Sequence, residues 1–283
     1  MLFGIIVFSI SLVGIFGIQR QPSYKGKSLR YWLDGYRVGP TSPTSNVSLG
    51  EADQAIRAMG TNIIPFLIPY LQARFIDRKE RLTLFLHYKV YLPKQVMLWN
   101  EKNDVAIRAL SALGPSAAPA VPELCQILSM EDGYAYHTWK IPKLLGDIGP
   151  AAYQAVPVLA HMLTNQAPPT VTFQPSSAGA HLQIRCMAAE TLGIINRQPD
   201  IAVPALCTAL EDSSSEVRWA ALMALTDIGT NAHTAVPVLM DILQSTTGST
   251  TREAIWHSRT GLPYVINALK VIDRNAAEKA GLR

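Results

Sequence analysis

The feature that most constrains this chain is internal repetition. Three stretches read ALSALGPSAAPAVPEL (109–124), KLLGDIGPAAYQAVPVL (143–159) and ALTDIGTNAHTAVPVL (224–239). Each is an apolar helix end, a Gly, an Ala-rich span and a Val-Pro. The Gly and the Pro keep one interval: Gly114 to Pro122, Gly149 to Pro157, Gly229 to Pro237. A fourth copy, ETLGIINRQPDIAVPAL (190–206), keeps Val203-Pro204 and puts Asn196 at the Gly position. Asn is the usual substitute where a left-handed backbone is needed. Degenerate copies flank these at 55–71 and 268–282.

The pattern predicts helix pairs. Gly ends one helix in a left-handed cap, a short connection follows, and Pro occupies the first turn of the next helix, where its missing N–H costs nothing. Such a pair has an apolar face it cannot bury alone, so neighbours must stack. In the fifth unit, Ser213 and Glu216 have capping-box spacing. Val217, Ala220, Ala221, Ala224, Leu225 and Ile228 then mark the buried stripe. The expected fold is all-α, an α-solenoid of about six helix pairs over residues 51–283. The Val-Pro intervals of 35, 47 and 33 residues make the array irregular. Insertions are expected at 74–100, 164–180 and 244–263, where solenoids often place their binding surfaces.

This pattern resembles HEAT repeats, specifically the short bacterial type grouped with phycobilisome-lyase HEAT-like repeats. The resemblance implies a superhelical array that binds other proteins. Such arrays carry an Asp and an Arg per repeat that ladder between neighbours. Here Arg185 and Arg218 share one register, and the other repeats do not match it. The run YKGKSLRYWL resembles a preamble in membrane-associated bacterial HEAT-repeat proteins.

Residues 1–18 carry no charged side chain, and as a helix they would span about 27 Å. That approaches the ~30 Å of a bilayer core, so a transmembrane or signal-anchor helix is expected. A poor cleavage site at Gly17-Ile18-Gln19-Arg20 favours an uncleaved anchor. Behind it, a basic collar and linker (19–50) holds Arg20, Lys25, Lys27, Arg30 and Arg37 against Asp34, and this accounts for the whole net charge of +4. The body is therefore neutral and lacks the electrostatic footprint of a nucleic-acid binder. The positive-inside rule puts the body in the cytoplasm, and a signal function would export it; either way the address is a single-pass bacterial inner-membrane protein.

Within the collar, Leu29, Trp32, Leu33 and Tyr36 form a helical stripe behind Ser28, a plausible N-cap. It reads as a cap closing the first repeat, or as an interfacial helix with Trp32 at headgroup depth. Arg20, Lys25, Lys27, Arg30 and Trp32 are the membrane-proximal candidates. For partner binding the candidates are Tyr134, Tyr136, His137 and Trp139, and Trp256 with His257, since aromatic rims form peptide pockets. The basic and aromatic stretch 74–94 reads first as a surface helix, and otherwise as an anionic-lipid or nucleic-acid site.

No catalytic, metal or cofactor site is recognisable. The six histidines lack metal-ligand spacing, and no His-Glu dipeptide of the kind used by HEAT-like iron hydroxylases occurs. Cys125, Cys186 and Cys207 read as small buried hydrophobes, Cys186 otherwise as a bilin thiol. The expected function is thus a non-catalytic, monomeric, membrane-tethered scaffold for a protein partner, with no nucleic acid. The alternatives are a HEAT-like enzyme of the bilin lyase or hydroxylase type, or an anionic membrane-surface or nucleic-acid binder acting through the basic segments.

Overall fold

In a computed structural model, residues 21–37, 47–72, 93–129, 140–165, 177–245 and 261–282 are described. The chain opens with a two-stranded hairpin, β1 (Ser23–Tyr24) and β2 (Lys27–Ser28), antiparallel with Tyr24 opposite Lys27. Lys25 and Gly26 turn it with φ of 47° and 71°, the positive pair that suits a right-twisted two-residue loop. This hairpin amends the all-α expectation. Among the described residues, every element that follows is helical.

A short helix α1 (Leu29–Leu33) runs into a 3-10 turn (Asp34–Tyr36). Ser28 occupies the N-cap, but its side chain caps nothing. Next come α2 (Leu49–Met59) with α3 (Ile64–Gln72), α4 (Pro93–Leu113) with α5 (Val121–Ser129), and α6 (Lys140–Ile148) with α7 (Val156–Thr164). The C-terminal half is α8 (Ser177–Ile195) with α9 (Pro199–Ala209), α10 (Ser215–Ile228) with α11 (Val236–Ser245), and α12 (Gly261–Ile272) with the short α13 (Arg274–Lys279). The first helices α2, α4, α6, α8, α10 and α12 each pack on the next, and α5, α7 and α9 form a second row. That is a two-layered stack of six helix pairs.

The Ala-rich connections have a defined form. Gly114–Ala120, Gly149–Ala155 and Gly229–Ala235 are 3-10 helices of seven residues each. Three residues per turn puts the third and sixth residues after Gly on one side. Those residues are Ala117 and Ala120, Ala152 and Ala155, Ala232 and Ala235, all at 0 % exposure. Pro122, Pro157 and Pro237 then stand second in their helices.

The glycine caps differ from the expected left-handed form. Gly60 and Gly229 have φ of 61° and 65° with ψ of −148° and −137°. This is the region at positive φ and strongly negative ψ that only Gly occupies freely. Asn196 also has a positive φ, 46°, but no 3-10 linker follows it. The chain instead passes through Gln198 in the left-handed region and starts α9 at Pro199. Pro204 is therefore inside α9 and not in its first turn, a second correction to the repeat register.

Capping and boundaries shift as well. Ser214, not Ser213, holds the N-cap position of α10, its side chain caps no backbone N–H, and its own N–H donates to the Asp212 carboxylate at 2.8 Å. The reciprocal capping box is at the head of α2. There Glu51 N–H donates to the Ser48 hydroxyl at 3.3 Å, and Ser48 N–H donates to the Glu51 carboxylate at 2.9 Å. Helices α4, α8, α11 and α12 extend into the stretches assigned to insertions, taking in 93–100, 177–180, 244–245 and 261–263. Among the described residues no helix is long and apolar enough to cross a membrane, and residues 1–18 lie outside them.

Candidate docking groove on the row of first helices

The N-terminal stripe faces inward. Leu29, Trp32, Leu33 and Tyr36 are all buried, and the Trp32 indole N–H donates to the Tyr24 carbonyl at 3.2 Å. Trp32 is edge-on to both Tyr24 and Tyr31. The ring thus closes the end of the array and is not free to enter a headgroup layer. Lys25, Lys27 and Arg30 remain exposed on the hairpin and α1. Lys25 lies over the Tyr24 ring and Lys27 over the Tyr31 ring, at 5.3 Å and 4.9 Å from the centroids.

Tyr36 links this cap to the array. Its hydroxyl donates to Asp53 of α2 at 2.6 Å. Burial, reinforced by the Asp53 carboxylate, pushes the phenol well above its ordinary range, so it stays a donor. Asp53 is the first element of a groove of about 650 Å³ crossed by α2, α4 and α6. Each helix offers polar side chains at helical spacing: Asp53 and Arg57, Asp104 with Arg108 and Ser111, Lys140 with Lys143 and Asp147. Ile107 and Leu144 are buried beneath its floor, and Leu49 is its exposed apolar side chain.

Contacts across the groove tie successive repeats. Arg57 Nε donates to the Ala112 carbonyl at 3.0 Å, joining α2 to α4. Lys140 pairs with Asp104 at 2.5 Å, and Ser111 donates to Asp147 at 2.7 Å, joining α4 to α6. Asp147 also takes Lys143, four residues earlier, at 3.2 Å. Farther along, Arg185 of α8 pairs with Asp212, which is 2 % exposed. Arg218 of α10 donates to the Asp212 and Ser213 carbonyls at 2.7 and 3.1 Å. Burial lowers the pKa of its guanidinium, with Asp212 and Glu216 opposing. The shared register of Arg185 and Arg218 therefore produces one buried rung on a turn. Asp104 and Lys140 supply a different rung, with no Arg, between the second and third repeats.

The same row changes character toward its C-terminal end. Trp219 of α10 and Tyr264 of α12 meet edge to face at 4.4 Å, yet stay 39 % and 42 % exposed. Ile194 of α8 is also exposed. Helices α8, α10 and α12 thus each expose one large apolar side chain, Ile194, Trp219 and Tyr264.

Of the sequence-predicted binding residues, Tyr134, Tyr136, His137, Trp139, Trp256 and His257 lie outside the described residues, as do Arg20 and most of 74–94. The groove was not foreseen, because Arg57, Arg108 and Lys143 are far apart in sequence and each alone reads as a solvated charge. Cys125, Cys186 and Cys207 are free and half-buried. Burial pushes all three thiols up, those of Cys186 and Cys207 to about 11, which is the opposite of an activated nucleophile. Among the described residues no group of three His, Cys, Asp or Glu is placed to hold a metal ion.

A family model for HEAT repeats matches residues 177–258, which take in α8 to α11. Comparison with curated proteins and with solved structures found no match. The stacked helix pairs, their Gly-capped linkers and this match together support a HEAT-repeat protein.

Proposed function

We propose that this chain is a membrane-tethered HEAT-repeat scaffold that binds a protein partner and performs no chemistry of its own. HEAT repeats usually mediate protein–protein interaction. The observation that carries the reading is the groove on α2, α4 and α6, a continuous polar and apolar surface built across three repeats. A site of this kind suits an extended chain, because an array presents the same positions at each step.

The tether is the apolar run 1–18, and we place the repeats with the bacterial phycobilisome-lyase type on their Gly-to-Pro register. The exposed Lys25, Lys27 and Arg30 follow that run closely, so they are positioned to meet anionic headgroups. The basic collar favours a cytoplasmic body at the inner membrane.

The test is in-cell cross-linking of the full-length protein, followed by purification in detergent and mass spectrometry. The reading predicts fractionation with membranes and a stoichiometric protein partner. Recovery in the soluble fraction, or with a bound small molecule and no protein, would contradict it.

A further inference from the structure

We infer that the groove on α2, α4 and α6 takes an extended acidic segment of the partner, with Arg57 and Arg108 as its carboxylate receptors. This rests on the scaffold reading above and names the chemistry of what that scaffold holds.

The argument is a comparison of charges already used with charges left over. Three carboxylates line the groove, and each is engaged within it: Asp53 by the Tyr36 hydroxyl, Asp104 by Lys140, and Asp147 by Ser111 and Lys143. The cations are not all engaged. Arg108 is exposed, and among the described residues its side chain makes no ion pair or hydrogen bond. Arg57 uses only Nε, toward the Ala112 carbonyl, which leaves both terminal nitrogens without a protein partner. That bond also fixes the guanidinium, so less side-chain entropy is lost when it receives a ligand.

Two features select a carboxylate-bearing peptide. Arg57 and Arg108 stand on neighbouring helices, whose axes lie about 8–10 Å apart. Side chains on one face of an extended chain recur every ~7 Å, so the held Arg57 and the unpaired, exposed Arg108 arm can meet acids two residues apart. Leu49, 52 % exposed, supplies apolar contact beside them. A nucleic acid fits less well, since it presents a phosphate at every nucleotide and only two guanidinium groups in the groove are left to receive them. The occupant is thus an extended protein segment with acidic residues at every second position.

The test is fluorescence anisotropy on the full-length protein in detergent, using a labelled peptide in which Glu alternates with Val. The controls are the same peptide with Gln for Glu, and labelled oligothymidylate. The acidic peptide is expected to bind about tenfold more tightly than its Gln version, and Arg108→Gln to weaken it roughly five- to tenfold. Arg57→Gln with Arg108→Gln should remove most of the binding, and Arg197→Gln, on the exposed turn after α8, should leave it unchanged. Arg108→Gln breaks no internal bond, so it carries the test even if the Arg57 variant unfolds. Equal binding by wild type and Arg108→Gln, or tighter binding of oligothymidylate, would overturn the inference. If a cross-linked partner is retained equally by Arg108→Gln, the scaffold stands and this assignment falls. If the wild type retains no protein, the scaffold itself falls.

Discussion

Gly193 of α8 lies so close to α10 that a Cβ placed on it would stand 2.8 Å from the Cα of Ala224. The obstacle is backbone, which cannot swing aside. The two helices therefore touch through a residue with no side chain, and the tightest seam of the array depends on it. The corresponding residue one repeat earlier, Gly146, would bring its Cβ only to 3.4 Å from the Ile194 side-chain end. Gly193→Ala should cost about 1–3 kcal/mol by forcing α8 and α10 apart. Gly146→Ala should stay within about 1 kcal/mol of wild type, since helix propensity favours Ala. Thermal denaturation followed by circular dichroism separates the two, and equal melting temperatures would refute this account of the seam.

Gly229 makes the contrasting case, because nothing lies within 4 Å of where its Cβ would be. Its cost comes from the backbone alone, at φ 65° and ψ −137°. Gly229→Ala should therefore destabilise by about 1–3 kcal/mol despite the open space. Gly229→Asn should not rescue it, since the tolerance of Asn is for the left-handed region near ψ of about +47°. Chemical denaturation of both variants checks this, and a wild-type midpoint for Asn would show that the cap relaxes to the left-handed form.

The α2 capping box gives a pH dependence. The Ser48 backbone N–H, and then its hydroxyl, hold the Glu51 carboxyl below the usual glutamate range. A carboxyl depressed in the folded state stabilises above its unfolded pKa, and that stability is lost as pH falls through the folded value. Ser48→Ala removes the hydroxyl but keeps the backbone N–H, so its melting temperature should fall below wild type at neutral pH and the gap should narrow, without closing, toward ~pH 3. A difference that is constant across that range would contradict the box.

Cys186 and Cys207 should be poor nucleophiles in the native protein, because burial raises both thiols to about 11. Little thiolate exists at ~pH 8 under those conditions. Iodoacetamide followed by intact-mass measurement should find both largely unmodified in the native protein and all three cysteines modified in denaturant. Rapid native alkylation of Cys186 would revive its reading as a cofactor-attachment thiol.

The repeat architecture was legible in the sequence because Gly and Pro are positions where one residue type answers a backbone demand. Gly114, Gly149 and Gly229 mark helix ends, and Pro122, Pro157 and Pro237 mark starts, without reference to tertiary structure. The buried stripe from Val217 to Ile228 followed from its spacing alone. What was not legible depended on competition or distance. The N-cap position of α10 fell on Ser214, whose N–H is held by Asp212, and the spacing of Ser213 and Glu216 does not show this. Pro204 kept its motif while α9 began at Pro199, because Gln198 made the turn. The Lys25-Gly26 hairpin lacks the Asn-Gly signature and was missed. The box at Ser48 and Glu51 has the right spacing and was there to be read. The contacts between the helices of the groove join residues 36 to 55 positions apart, and no local pattern points to it.

The most direct measurement is hydrogen–deuterium exchange on the full-length protein, alone and with its cross-linking-identified partner. The account predicts slower exchange in 49–59, 93–113 and 140–148, the helices that form the groove, with the C-terminal helices little changed. Exchange unaltered in those three helices would contradict the assignment of docking to this face.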